Sequence, residues 1–377
     1  MRRAAPAIVV ALVLLLPVAF MYRTLLLGQP LARDDAAEMV YPLARAMGES
    51  LRQGKLYLWD EDQWCGLPAL ATGQSTALYP IHLVLFALLP WMTALHLSYW
   101  LHLALMGLGV VWVGRNLRLS WAGALLAATA YCWSGYVAAH LIHLNVVMAA
   151  AHLPLMLALL QTAQARYHWG WWALLAVECG CAFLSAHPQI FIMAVAACGL
   201  WLIAGRTTAQ VPAPPATADG LPARAPVDPS LPSTAASGGD ILPRTRGPAP
   251  ALGLTVAAMA AVLLTMPQLL PELELAAQGR LAVSGGAAYM GSYPFAARDL
   301  ARVLLPSIFG TVHENILGGG PAYHESCAFV GAAPLLLALV GLLVGRGRPG
   351  YGFALSLFVV GAALMPGPGN PLHALLA

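Results

Sequence analysis

Two adjacent carboxylates, Asp34 and Asp35, follow closely on the first apolar stretch of this 377-residue chain. A carboxylate can orient a hydroxyl and take its proton late, as nucleophilic attack develops, an effect of about 10²–10⁴-fold. Imidazoles and guanidiniums are the natural complement, because they donate hydrogen bonds where negative charge develops on a leaving group. The chain offers His143 and His187 at the ends of apolar stretches, and Arg280, Arg298 and Arg302 in a later hydrophilic stretch. Arg suits oxyanions through its bidentate fork. Each residue also has a plainer use. An Asp at a helix start answers the macrodipole, a loop Arg meets solvent or a lipid headgroup, and a His bonds between helices.

A metal is the other chemistry to weigh. His140 and His143 are three apart, and His313-Glu314 and His324-Glu325 lie in the later hydrophilic stretch. With Asp34 and Asp35 they supply ligands of the right type for a divalent ion. No compact motif such as His-Glu-x-x-His is present.

The elements that must position these groups are membrane helices. The chain is 59% hydrophobic and only 9% charged, against roughly 25% charged in a soluble domain. That excludes a soluble enzyme, a nucleic-acid binder and a disordered chain. A crossing needs about 20 apolar residues. Stretches of that kind fall near 5–27, 92–114, 119–138, 145–165, 168–186, 188–205, 251–271, 326–345 and 350–366. The expected fold is all-α: a polytopic bundle of about nine spans, the first an uncleaved anchor.

Arg115, Arg118, Arg166, Arg346 and Arg348 mark the short loops of one side. The positive-inside rule then puts the N-terminus in the cytoplasm. Two long loops, 28–91 and 272–325, fall outside and hold 12 of the 16 acidic residues. Work on the extracytoplasmic face is the expectation from that asymmetry. Residues 1–205 form a six-span block and 251–377 a C-terminal block. Between them, 206–250 carries ten prolines and reads as a disordered cytoplasmic linker.

In the first loop, Met39, Val40, Leu43, Met47 and Leu51 recur at helical spacing over 34–53, with Glu38, Arg45, Glu49 and Arg52 on another face. This predicts an amphipathic helix, started or kinked at Pro42, on the membrane surface. Asp60-Glu61-Asp62 reads as a solvated turn, and 80–90 as a segment too short to span. Cys65 and Cys327 share the outer side, where a disulfide can form. Glu178 stands mid-membrane, where a carboxylate is costly and needs a partner.

Several runs resemble the YfhO-like family of bacterial membrane proteins, in the GT-C glycosyltransferase clan. They are Asp35 with Tyr41-Pro42, Leu51-Arg52-Gln53-Gly54, Trp59, Gly66-Leu67-Pro68 and Tyr79-Pro80. Further on come His143 with Leu153-Pro154, Ala186-His187-Pro188-Gln189, Gln268 to Glu274, Arg280, Leu304-Leu305-Pro306 and Gly331 with Pro334. Departures are Ile142 and Ala186 for Gly, and His152 for Trp. The family usually runs longer, which suggests a truncated member.

The resemblance implies a GT-C-like fold in the bacterial cytoplasmic membrane and transfer of a sugar from a polyprenyl-phosphate donor to a cell-envelope acceptor. That acceptor is a glycan, a lipid or a protein. Asp35 is then the catalytic base, with Asp34 its alternative or partner. Arg280, His143, His187, Arg298 and Arg302 are the candidates for the donor phosphate, Arg280 first. Partners are the lipid-linked donor, the acceptor and membrane lipids, with no nucleic acid. Some enzymes of the clan use a divalent metal and others none, so the cofactor stays open. Two competing classes remain: a transporter or flippase for a lipid-linked glycan, and a non-catalytic assembly protein.

Overall fold

The computed structural model describes residues 4–31, 35–63, 65–166, 168–185, 187–205, 250–278, 295, 297–310 and 323–365, with the side chain of Glu325 left out. Asp34, Trp64, Arg280, His313, Glu314 and nearly all of the 206–250 linker lie outside them. Among the described residues the chain is helical, with one isolated antiparallel bridge between Asp60 and Leu67.

The helices are α1 (Ala5–Phe20), α2 (Tyr22–Leu25), α3 (Tyr41–Arg52), α4 (Pro80–Leu88), α5 (Trp91–Asn116), α6 (Trp121–Cys132), α7 (Gly135–Ala139), α8 (Leu144–Arg166), α9 (Trp169–Leu184), α10 (Pro188–Ala204) and α11 (Pro250–Gln278). After them come α12 (Tyr323–Ser326), α13 (Ala332–Val344) and α14 (Tyr351–Leu364). Each of the nine apolar stretches holds an apolar helix. Four of these helical stretches are long and apolar enough to cross a membrane: Trp91–Asn116, Trp121–Ile142, Leu144–Arg166 and Pro250–Gln278. The apolar helices α1, α9, α10, α13 and α14 are shorter.

The centre of the bundle is α8, buried almost all round between α5, α9 and α10. Its run of Ala149, Ala150, Ala151, Ala158 and Ala163 keeps it thin enough for close neighbours. Helix α5 uses glycine to the same end. A Cβ at Gly107 would stand 2.7 Å from Val13 of α1, and one at Gly109 would stand 3.1 Å from Leu155 of α8. By contrast α13 and α14 bury no residue.

The amphipathic helix forms as its spacing predicts, but its apolar face is covered by protein. Tyr41, Ala44 and Met47 are buried against α4 and the start of α5. Gly48 permits this, since a Cβ there would meet Trp91 Cβ at 2.8 Å. Pro42 has no N–H to give to the preceding turn. The five residues before α3, Ala36–Val40, form a π turn, with Asp35 at its start. The acidic run is a tight turn: Asp60 and Leu67 exchange two backbone bonds of 2.8 Å, and Asp60 accepts from the Asp62 N–H. All six cysteines are free. Cys65 is exposed and Cys327 buried, so the disulfide between them does not form.

Candidate functional site

The loop 28–79, the start of α8 and the start of α10 meet at one end of the bundle. Asp35 has helical dihedrals and makes no capping bond, so its carboxylate is not committed to its own helix. It accepts instead from His143 Nε2 at 2.8 Å, across 108 positions of sequence. The Asp35 side chain is 56% exposed and that of His143 is 14% exposed. The carboxylate is reachable and its partner is held.

His143 is placed by a break in the chain. The short 3-10 turn His140–Ile142 ends on it, and α8 begins at the next residue. Donation from Nε2 leaves Nδ1 as the lone-pair nitrogen. That atom is buried, with no hydrogen-bond partner among the described residues. His140 Nδ1 donates to the Tyr136 carbonyl at 2.9 Å, so its Nε2 is likewise the lone-pair atom. His187 is the N-cap of α10, where its Nδ1 accepts from the Ile190 N–H at 3.4 Å. Burial, helped by a small downward effect of His143, holds the His187 pKa below the ordinary imidazole value against a smaller opposite effect of its own backbone.

These groups line a cavity of about 470 Å³ with Gln74, Tyr136, Asn145, Gln189 and His324. Asn145 donates to Gln74 at 2.7 Å, which ties the first loop to the start of α8. The rings of His140, His143 and His324 stand 5.4, 5.3 and 5.0 Å apart, centroid to centroid. His324 is brought in by α12, which packs on α7. Gly135 N–H donates to Phe329 O at 2.6 Å, and a Cβ at Gly135 would stand 2.6 Å from Cys327 Sγ. Among the described residues, no three His, Cys, Asp or Glu side chains converge as a metal would require.

The structure thus brings Asp35, His143 and His187 together and leaves the two described arginines apart. Arg298 is exposed and does not line the cavity. Arg302 is buried beside Asp299 at 3.4 Å, with its guanidinium over the rings of Phe309 and Tyr323. The guanidinium is taken up by these neighbours and does not line the cavity. Asp34 and Arg280 lie outside the described residues. Among the described residues the polar lining is imidazole and carboxamide, with the Tyr136 phenol, one carboxylate and no Arg or Lys.

Sequence reasoning missed the weight of Gln74, Tyr136, Asn145 and Gln189, and treated His140 and His324 only as metal ligands. It also missed the buried histidines His82, His96, His102 and His152. The signal was present: an imidazole in a wholly apolar stretch demands a partner, as an intramembrane carboxylate does. Glu178 has such a partner, with His152 Nδ1 at 2.7 Å.

A second, apolar cavity of about 570 Å³ lies between α8, α9, α10 and α11, lined by residues such as Met156, Phe183, Phe191, Leu202 and Val262. Helix α10 borders both cavities, the polar one with Gln189 and Met193, the apolar one with Phe191 and Val195. No protein-family model, curated protein or solved structure matches the chain.

Proposed function

We propose that the chain is an integral-membrane glycosyltransferase of the GT-C type, with about nine spans and its N-terminus in the cytoplasm of a bacterium. It moves a sugar from a polyprenyl-phosphate donor to a cell-envelope acceptor on the extracytoplasmic side. The observation that carries this reading is the Asp35–His143 pair, an exposed carboxylate fixed by a half-sealed imidazole at the wall of a polar cavity. Two further features fit a lipid-linked donor. The polar cavity has room for a sugar phosphate, and α10 connects it to an apolar cavity able to take the first part of a prenyl chain.

In this reading Asp35 orients the acceptor hydroxyl and receives its proton. The acceptor oxygen forms a bond to the anomeric carbon from the face opposite the phosphate. The bond from that carbon to the phosphate oxygen breaks, and its electron pair leaves with the phosphate. The His187 Nε2–H and the carboxamide N–H groups of Gln74 and Gln189 are the donors that line the cavity for that oxyanion. His143 acts through Asp35, holding the carboxylate toward the cavity.

The test is turnover of labelled polyprenyl-phosphate sugar by membranes containing either the native chain or Asp35→Asn. Loss of transfer in the variant, at equal expression and insertion, supports the reading. Equal turnover overturns it. A transporter or flippase for a lipid-linked glycan is the second reading, favoured by the Glu178–His152 pair deep in the bundle where carriers place their sites. Movement of the labelled lipid across the bilayer without sugar transfer would select it.

A further inference from the structure

Seven side chains hydrogen-bond end to end through the interior of the bundle, and the proposed transfer reaction uses none of them. Glu178 Oε1 meets His152 Nδ1 at 2.7 Å, and His152 Nε2 meets the Tyr79 hydroxyl at 3.1 Å. Tyr79 meets His102 Nε2 at 2.7 Å, and His102 Nδ1 meets Ser98 Oγ at 3.2 Å. Ser98 Oγ meets His82 Nε2 at 2.7 Å, and His82 Nδ1 meets Thr76 Oγ1 at 2.6 Å. Every member except Glu178 is buried. They come from α9, α8, α5, and α4 with the loop that runs into it.

Two carbonyls fix the direction of the chain. His102 Nδ1 also lies 2.7 Å from the Ser98 carbonyl, which can only accept. Nδ1 therefore carries the hydrogen and Nε2 is the acceptor. Tyr79 then donates to His102, and its oxygen accepts from His152 Nε2–H. That leaves His152 Nδ1 facing Glu178 with one proton between them. At the other end the Thr76 hydroxyl donates to the Ser75 carbonyl at 2.6 Å. Thr76 thus accepts from His82 Nδ1–H, His82 Nε2 accepts from Ser98, and Ser98 accepts from His102. All the donors point the same way, from Glu178 toward Thr76.

The Thr76 end opens toward the polar site. Thr76 and His82 line a cavity of about 40 Å³, whose wall includes Met39, Gln74 and Asn145. The same three residues line the large polar cavity. A space of that size admits a single water, and Thr76 and Gln74 are polar residues on its wall.

We propose that this chain of seven groups is a proton relay through which the Glu178–His152 pair exchanges its single proton with the polar cavity. In one pass the proton of the pair ends on His152 Nδ1 as Nε2 releases its own to Tyr79. Tyr79 passes its proton to His102, His102 to Ser98, Ser98 to His82, and His82 to Thr76. Thr76 gives its proton to a water in the small cavity. Each broken N–H or O–H bond leaves its electron pair on its own atom. Glu178 ends as a carboxylate, the three histidines end neutral with their tautomers reversed, and a proton returning along the same path restores the start.

Among the described residues, the other groups around Glu178 do not offer an equivalent path. On its own helix stand Cys179 and Cys181. Cys198 of α10 is an electrostatic neighbour of Cys179. Helix α11 presents apolar residues and Thr265, whose hydroxyl donates to carbonyls of its own helix. The relay stands independently of the glycosyltransferase reading, because it predicts an exchange rate and not a product.

The experiment follows infrared difference spectra of the full chain in oriented membranes after a switch from H₂O to D₂O. Isotope-sensitive bands absent from Glu178→Gln belong to the pair, whichever partner holds the proton. Ser98→Ala and Tyr79→Phe each remove one hydroxyl link at a distance from that pair. Both should slow exchange of those bands by about tenfold or more, and Ser98→Thr should restore it to within about twofold. A loosened fold accelerates exchange, so slowing is not mimicked by damage. Unchanged or faster exchange in both hydroxyl-deleted variants overturns the relay.

Discussion

The two histidine-rich regions of this bundle treat the same ring in opposite ways. In the interior, His82, His102 and His152 have both nitrogens matched, and each sits out of solvent between helices. At the loop end, His143 has a nitrogen with no partner among the described residues, and the acid it holds is open to the cavity. A fully matched imidazole is fixed by the network around it. An imidazole with a vacant valence, beside a reachable carboxylate, can still act on something that arrives. In the proposed reading, the difference separates a region that passes a proton through the bundle from one that meets a substrate.

The sharpest way to break that contrast is Asp35→Asn. Sugar transfer should fall about 10²–10⁴-fold, measured with labelled donor, while the melting temperature stays put. The carboxylate is exposed, and an amide oxygen still accepts from His143. His152→Leu should do the reverse. Removing one partner of a buried pair costs about 3–5 kcal/mol, read as a lowered thermal midpoint in detergent. Replacing His152 and Glu178 together by apolar residues should recover much of that loss. A stability change at Asp35 as large as that at His152 would erase the contrast.

Gly135→Val probes how the loop-end region is assembled. The added carbons would run into Cys327 Sγ and Phe329, at 2.6 and 3.1 Å from the first of them. Overpacking of this kind costs about 1–3 kcal/mol. It should push α12 off α7 and carry His324 away from His140 and His143. Maleimide labelling checks it: Cys327, buried in the native chain, should become reactive.

The smallest expected effect is in pH. Burial depresses the His187 pKa in the fold, so between the depressed value and about 6.5 the unfolded chain binds more protons. His187 therefore contributes stability that is complete above about 6.5 and declines as pH falls below it. His187→Asn keeps an acceptor for the Ile190 N–H and removes the titration. The melting temperature of the variant should drop less on acidification than that of the native chain.

Much of the scaffold was legible because hydropathy is local. All nine apolar stretches hold apolar helices, and the Met39–Leu51 spacing gave the buried face of α3. Residue type and spacing could not say what covers that face, since Gly48 against Trp91 is a tertiary fact. The meeting of Asp35 and His143 was available only through a resemblance of motifs, because no periodicity links positions 108 apart. Arg302 shows the limit from the other side. A guanidinium in a hydrophilic stretch reads the same whether it faces an anion or, as here, is enclosed by Asp299, Phe309 and Tyr323. The interior chain was invisible for the same reason: Tyr79, His102 and His152 are unrelated until three segments pack.

The π turn at Ala36–Val40 has a consequence for heredity. It accommodates one residue more than an α turn, so what precedes it is rotated by roughly 100° relative to an uninterrupted helix. Asp35 owes its aim to that extra residue downstream as much as to the imidazole it meets. Loss of a single codon within this stretch removes that extra residue and should swing the acid away from His143, with both side chains still encoded. Such a deletion is expected to part Asp35 from His143 while both side chains remain, a loss that a catalogue of substitutions would overlook.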